Sequence, residues 1–246
     1  MPEFIRKLYG LAHQRFVGIG DYDNFALTST LNHMIRIKVF VFNPFQENTY
    51  LLYDQTQECA IVDPGCYTEN EKKHLKEFID SENLLPVASI NTHTHIDHVL
   101  GNSFVYEAFG LKPLIHHEGF QFLESAQEHG MAFGLKVAEI IHPEIFLNEG
   151  EVVLFGKSQL EILYTPGHAD GSICLVSHEN RFVITGDVLF NGSIGRTDLP
   201  TGNFDLLEEN IRTKLYTLPD DYIVYPGHGP ATSIGEEKTG NPYVKV

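Results

Sequence analysis

Three imidazoles and a carboxylate fall within six positions of this chain, at His93, His95, Asp97 and His98. Neutral imidazole nitrogens and a carboxylate oxygen are good ligands for borderline ions such as zinc or iron. The cluster follows the apolar run 86–90. A strand ending there would turn alternate side chains to one face, aiming His93 and His95 together. A turn into a helix, with Asp97 near its cap, would aim Asp97 and His98 at a neighbouring spot. The plain alternative is a polar turn with incidental histidines, and the density of the cluster stands against it.

Three further stretches share this character. Thr165-Pro166-Gly167-His168 places a histidine just past an apolar run, Gly186-Asp187 does the same for an aspartate, and Pro226-Gly227-His228 repeats the first arrangement near the C-terminus. A glycine precedes each polar residue and permits a tight turn with close backbone approach. Taken singly, a histidine after Pro-Gly is usually a turn residue. Four such elements, each ending an expected strand, supply five histidines and two aspartates, enough for two metal ions with a shared carboxylate.

The elements that must position these residues are visible in the hydrophobic pattern. Strands are expected over 35–42, 49–53, 59–63, 87–90, 112–116, 152–155, 159–164, 172–176, 182–185 and 222–225. Helices are expected over 69–81, with Leu75, Phe78 and Ile79 inward, over 99–109, stopped by Gly110, near 120–129, and over 206–218. Two successive halves, each β-rich and then helical, imply two packed sheets with helices outside. Residues 1–33 lack a sustained period, and Gly18, Gly20 and the run 21–24 read as loop. Residues 1–33 are therefore expected to be an N-terminal extension, with the folded domain at 34–246 and Met34 as its start, and a candidate start of translation.

Seventeen Lys and Arg against 33 Asp and Glu give a net charge of −16. That balance repels phosphate backbones and anionic membranes, so nucleic-acid and membrane partners are not expected. Cys59, Cys66 and Cys174 are odd in number and not spaced as a zinc-thiolate site, which fits apolar fillers in a reducing compartment. With no signal-like apolar segment after the N-terminal basic residues and no run long enough to span a bilayer, a cytoplasmic location is expected.

The combined set, Thr-His93-Thr-His95-Ile-Asp97-His98 with Thr-Pro-Gly-His168, Gly-Asp187 and Pro-Gly-His228, resembles the metallo-β-lactamase superfamily over residues 35–246. Asn48-Thr49-Tyr50-Leu51, Val62-Asp63-Pro64-Gly65 and Gly195-Arg196-Thr197-Asp198-Leu199-Pro200 resemble its glyoxalase II-like branch. The resemblance implies an α/β fold, an αββα sandwich of two mixed sheets with the site at one edge. It implies one metal on His93, His95 and His168, a second on Asp97, His98 and His228, and Asp187 bridging them. Zinc is the first expectation for both ions, with iron or manganese as alternatives. A hydroxide between the ions would attack a carbonyl, with Asp97 positioning it or accepting its proton. Asp63, Arg196 and Asp198 are candidates for orienting the ligands; His116 and His117 follow a strand but are superfluous to a complete set.

Full glyoxalase II enzymes carry a C-terminal helical domain that supplies much of the glutathione surface, whereas only residues 229–246 follow His228 here. The implied substrate is thus a small thioester, with glutathione recognition set apart. Asp187, where metallo-β-lactamases proper carry cysteine or serine, points away from β-lactams. A second implied activity is that of a persulfide dioxygenase, with one iron held by His93, His95 and His168 or Asp187.

Overall fold

A computed structural model describes residues 17–19 and 34–245. Its strands are β1 (Val17–Ile19), β2 (Arg36–Phe42), β3 (Glu47–Tyr53), β4 (Glu58–Val62), β5 (Leu85–Ile90), β6 (Pro113–His116) and β7 (Phe146–Leu147), then β8 (Glu151–Phe155), β9 (Ser158–Tyr164), β10 (Ile173–Ser177) and β11 (Phe182–Gly186). A small ribbon, β12 (Leu189–Phe190) and β13 (Ser193–Ile194), precedes β14 (Ile223–Pro226) and β15 (Thr232–Ser233). One sheet runs β2-β3-β4-β5-β6-β7 and the other β1-β8-β9-β10-β11-β14-β15. Both are mixed: β4, β5, β6 and β7 pair in parallel, as do β11 and β14, and the remaining pairs are antiparallel.

The period of two in each strand sorts its side chains between two faces. Tyr50, Leu52, Ala60, Val62 and Ile90 face Val153, Phe155, Ile162, Leu175 and Ile184 across the gap between the sheets. The alternate residues Leu51, Cys59 and Ile61 pack outward on Leu75, Ile79, Val105 and Phe109 of two helices. On the other side Cys174, Val176, Val183 and Val224 meet Leu207, Ile211 and Leu215. The result is four layers, αββα, as expected. The three cysteines are free and buried, and burial pushes the Cys66 and Cys174 thiols up to about 12.

The helix Glu69–Ser81 begins where a capping box places it: Glu71 N–H donates to Thr68 Oγ1, and Thr68 N–H donates back to Glu71 Oε2. Elsewhere the elements depart from the sequence pattern. The helix expected over 99–109 is two, Ile96–Val99 and Asn102–Phe109. Gly101 lies against Pro64 and Cys66, so close that a Cβ there would sit 2.6 Å from each, and its N–H donates to Pro64 O. The 120–129 helix is likewise divided, as Phe120–Glu124 and Ala126–Ala132. The last expected helix is Phe204–Asn210, capped by Asn203, and it loosens into a π-helical turn at Ile211–Leu215. Within the stretch read as loop, Val17–Ile19 pairs antiparallel with Glu151–Val153 as an edge strand, because an open sheet edge accepts any extended segment whatever its side chains; Gly20 and residues 21–24 lie outside the described residues. Among the described residues no helix is long and apolar enough to cross a membrane.

Candidate metal centre

Every residue singled out for metal binding lies just beyond the end of a strand, at one edge of the sandwich. His93 and His95 do not extend β5, which stops at Ile90; they sit in a loop that side-chain bonds hold rigid. Asn91 Nδ2 donates to His98 O (2.7 Å), Thr94 Oγ1 donates to Gly119 O (2.6 Å), and Thr92 donates to Asp63 through both its N–H (2.7 Å) and its hydroxyl (2.6 Å). The helix Ile96–Val99 follows at once and carries Asp97 and His98 in its single turn. His168, Asp187 and His228 arrive from the ends of β9, β11 and β14 in the opposite sheet.

The seven side chains meet. Among the described residues, His93, His95 and His168 form one group whose ligand atoms lie within 4.8 Å of one another, and Asp97, His98 and His228 form a second. Asp187 reaches both: Oδ2 is 3.6 Å from His168 Nε2 and 3.6 Å from His228 Nε2, and Oδ1 is 3.4 Å from His98 Nε2. Gly227 makes room for it, since a Cβ at that position would come within 2.1 Å of Asp187 Oδ1.

Outer hydrogen bonds fix which ring nitrogen faces the centre. His168 Nδ1 donates to Arg196 O (2.8 Å) and His228 Nδ1 to Phe45 O (3.1 Å), so each turns an Nε2 lone pair inward. His93 Nδ1 is 3.3 Å from Thr92 Oγ1, and His95 presents Nδ1, 2.9 Å from His168 Nε2. His93 Nε2, His98 Nε2 and Asp187 Oδ1 are buried with no hydrogen-bond partner. Buried polar atoms left bare are costly, and a cation supplies what these lack. The His/Asp cluster is capable of binding metal ions.

The charge states of the first group agree with that use. Burial, reinforced by the neighbouring rings, holds the His93 imidazole far below its usual range and His95 down to about 4, and burial also lowers His168. These three rings are neutral donors near pH 7. Burial acts in the same direction on His98 and His228, yet Asp97 foremost, with Asp187, raises both above the ordinary value, so a cation held by the second group would displace protons from these rings. Burial works to raise Asp97 and Asp187, and His98 foremost overcomes it, so both stay ionised.

The three candidates for orienting ligands separate. Asp63 is fully buried, with Oδ2 3.0 Å from His98 Nδ1, though off the axis of a hydrogen bond. Its φ of 49° lies in the left-handed region, which turns its carboxylate back under the cluster. Arg196 acts through its carbonyl on His168; its guanidinium instead grips Asp198 with two 2.7 Å bonds at the surface, and Asp198 touches no ligand. His116 stacks on Tyr164, with centroids 4.1 Å apart, and its Nδ1 accepts from Glu118 N–H. Neither it nor His117 joins a donor group.

Other contributors stand outside the two groups; of them only Glu47, with Asp63 and His98, makes a further cluster of possible donors among the described residues. Asn48 N–H donates to Gly227 O (2.7 Å), Asn48 Nδ2 to Pro226 O and Gly229 O, and Tyr50 Oη to Pro226 O (2.6 Å), stitching the first sheet to both sides of His228. Asn43 Nδ2 bonds the carbonyls of Gly65 and Asp97. Glu47 lies fully buried beneath the centre, where burial raises its carboxyl well above the usual range.

The sequence pattern of the metallo-beta-lactamase superfamily matches residues 42–228, which spans all seven side chains. The chain belongs to the metallo-β-lactamase superfamily. Within the superfamily, hydroxyacylglutathione hydrolase GloC of Haemophilus influenzae is 38% identical over 212 residues, 85% of this chain and 98% of that protein. The crystal structure of BLEG-1 B3 metallo-beta-lactamase is 31% identical, with a TM-score of 0.77 over 86% of this chain and all of the other. That of TTHA1623 in a di-iron-bound form is 34% identical, with a TM-score of 0.76 over 84% of this chain and all of the other. The superfamily's layered fold is thus matched over nearly all the described residues.

Proposed function

We propose that this chain is a two-metal hydrolase of small thioesters. The observation that carries the reading is the pair of complete donor groups, His93, His95, His168 and Asp97, His98, His228, with Asp187 in reach of both. Two divalent ions so held would polarise a carbonyl and supply a hydroxide at neutral pH. Asp97, ionised and 3.1 Å from His228 Nε2, is assigned the proton of the attacking water. His93, His95 and His168 serve as neutral nitrogen donors and Asp187 as the shared carboxylate.

Zinc is our first assignment, from the nitrogen and oxygen donor set, and iron the next, because the similar TTHA1623 binds two irons. GloC supports the thioester: this chain spans 98% of a protein that bears the name hydroxyacylglutathione hydrolase. The second reading, a persulfide dioxygenase with one iron, uses His93, His95 and His168 or Asp187 and leaves Asp97, His98 and His228 without a task. We assign the hydrolase to residues 34–246, with 1–33 an extension that lends the edge strand Val17–Ile19 to its sheet, and place it in the cytoplasm on the strength of its three free, buried cysteines.

Metal quantification of the purified protein beside a thioester-cleavage assay tests the proposal. About two equivalents of metal with cleavage are expected. One equivalent of iron, with oxygen uptake on glutathione persulfide, overturns it in favour of the dioxygenase.

A further inference from the structure

The donor set has a phenylalanine at each end. Phe122, on the helix Phe120–Glu124, meets the His95 ring edge-on, with centroids 5.3 Å apart and the planes at 90°. Phe190, in the ribbon strand β12, lies 6.3 Å from the His228 ring. His95 belongs to the first donor group and His228 to the second, so the two phenylalanines border opposite ends of the centre. Phe45 joins them: its carbonyl holds His228 Nδ1, and its ring is met edge-on by Phe133 at 5.4 Å. Phe45, Phe122 and Phe190 are only half-buried.

A lone exposed phenylalanine on a protein surface needs no explanation. Phe122 and Phe190 differ because each ring meets the ring of a candidate ligand, one in each donor group. Beside Phe122, Leu123 and Ala126 are buried in a cluster with Val99 and Ile115. That cluster seats the 120–132 segment on the helix Ile96–Val99, and Gly130 lies so close that a Cβ there would come within 3.1 Å of Ile96 Cδ1. The core-forming work in this segment is done by Leu123 and Ala126, while Phe122 is turned to His95. Charge near the centre points the same way: Arg196, whose carbonyl holds His168, has its guanidinium paired with Asp198 at the surface, and the centre is itself lined by Asp97 and Asp187.

We propose that Phe122 and Phe190 form an acyl-binding collar, and that the substrate's acyl group is an uncharged aliphatic chain of several carbons rather than a hydroxylated or anionic one. The chain would leave water for aromatic surface as the carbonyl enters the centre, each methylene that is wholly covered adding about fourfold to binding. That the bound group is an acyl group in cleavage rests on the hydrolase reading; the apolar preference of the mouth does not.

Two series separate these points. In the first, acetyl, butanoyl, hexanoyl and lactoyl thioesters of N-acetylcysteamine are compared with the metal-loaded protein. kcat/KM is expected to rise about two- to fourfold per methylene from acetyl to hexanoyl, with lactoyl below butanoyl. In the second, acetate, butanoate and hexanoate are titrated calorimetrically into the same protein, and affinity is expected to rise on the same scale without any turnover. Phe122→Ala and Phe190→Ala are each expected to flatten both slopes, and Phe122→Leu, which stays apolar, to keep most of them. Affinity that is flat or falls with chain length in the wild type, or slopes that neither alanine variant changes, overturns the collar. A rising carboxylate slope with no thioester cleaved supports the collar and overturns the hydrolase reading alone.

Discussion

His98 Nδ1 lies 3.0 Å from Asp63 Oδ2, and both side chains are fully buried. The same carboxylate accepts the backbone N–H and the hydroxyl of Thr92, the residue before His93. One buried aspartate therefore braces a ligand of each donor group. Asp63→Asn, which tolerates the positive φ, is expected to weaken metal binding by about 10- to 100-fold. Its amide has one accepting oxygen, where the carboxylate offers Oδ1 to the Thr92 N–H and Oδ2 to the Thr92 hydroxyl, so a loss of about 1–3 kcal/mol of stability is expected as well. Competition with a chelator and denaturant unfolding measure the two effects; unchanged metal affinity would refute the bracing role.

Asp187 is the carboxylate within reach of both donor groups. Asp187→Ala is expected to remove hydrolysis and to lower metal content at both positions, because the variant keeps all five histidines but lacks the shared anion. Elemental analysis after dialysis reads this directly. A fully active variant with two equivalents of metal would show that Asp187 does not bridge.

Gly227 tests the same point without removing a donor. Gly227→Ala places a methyl 2.1 Å from Asp187 Oδ1 and 2.8 Å from His98 Cε1, so one of them must move. Displacements of an ångström at a catalytic group cost about 100-fold in rate. Circular dichroism should be preserved while metal content and turnover fall, and normal turnover would mean that the neighbours yield more easily than their packing implies.

Acid sensitivity has a component away from the metal centre. Burial, then the neighbouring His117, lowers the His116 imidazole to about 4. The unfolded chain takes up that proton near pH 6.5. Between the two values the unfolded state binds more protons, so this residue's contribution to stability is complete above about pH 6.5 and is lost as pH falls to about 4. His116→Gln keeps an acceptor for Glu118 N–H and does not titrate. It is expected to lose less stability than the wild type over that window in metal-free samples, and to retain its metal when loaded. A variant that cannot hold metal would make His116 part of the centre after all.

The candidate ligands were legible because a metal accepts few donor types, and the structure brings these donors together from four strand ends. The same rule could not reveal what orients them. His168 and His228 are held by the carbonyls of Arg196 and Phe45, and every residue has a carbonyl; a side chain at 196 offers no hint that its backbone matters. Asp63 was visible as a candidate, but its grip on Thr92 depends on a left-handed φ that an Asp-Pro-Gly turn does not dictate. The layers followed from strand and helix periods. The two-residue strands β7, β12, β13 and β15 are too short to show a period, and the break at Gly101 is set by Pro64 and Cys66, more than thirty positions away in the chain.

Asn48 and Tyr50 of the first sheet bind the carbonyls on either side of His228 in the second. Each of the two donor groups of the hydrolase reading takes two residues from the N-terminal half and one from the C-terminal half: His93 and His95 with His168, Asp97 and His98 with His228. On the two-metal reading these two groups are complete only once the halves have docked, and the edge where they dock is the edge that would hold the ions. On that reading, metal retention would report that the halves have docked. A misdocked chain would betray itself by failing to retain metal, well before any substrate was offered to it.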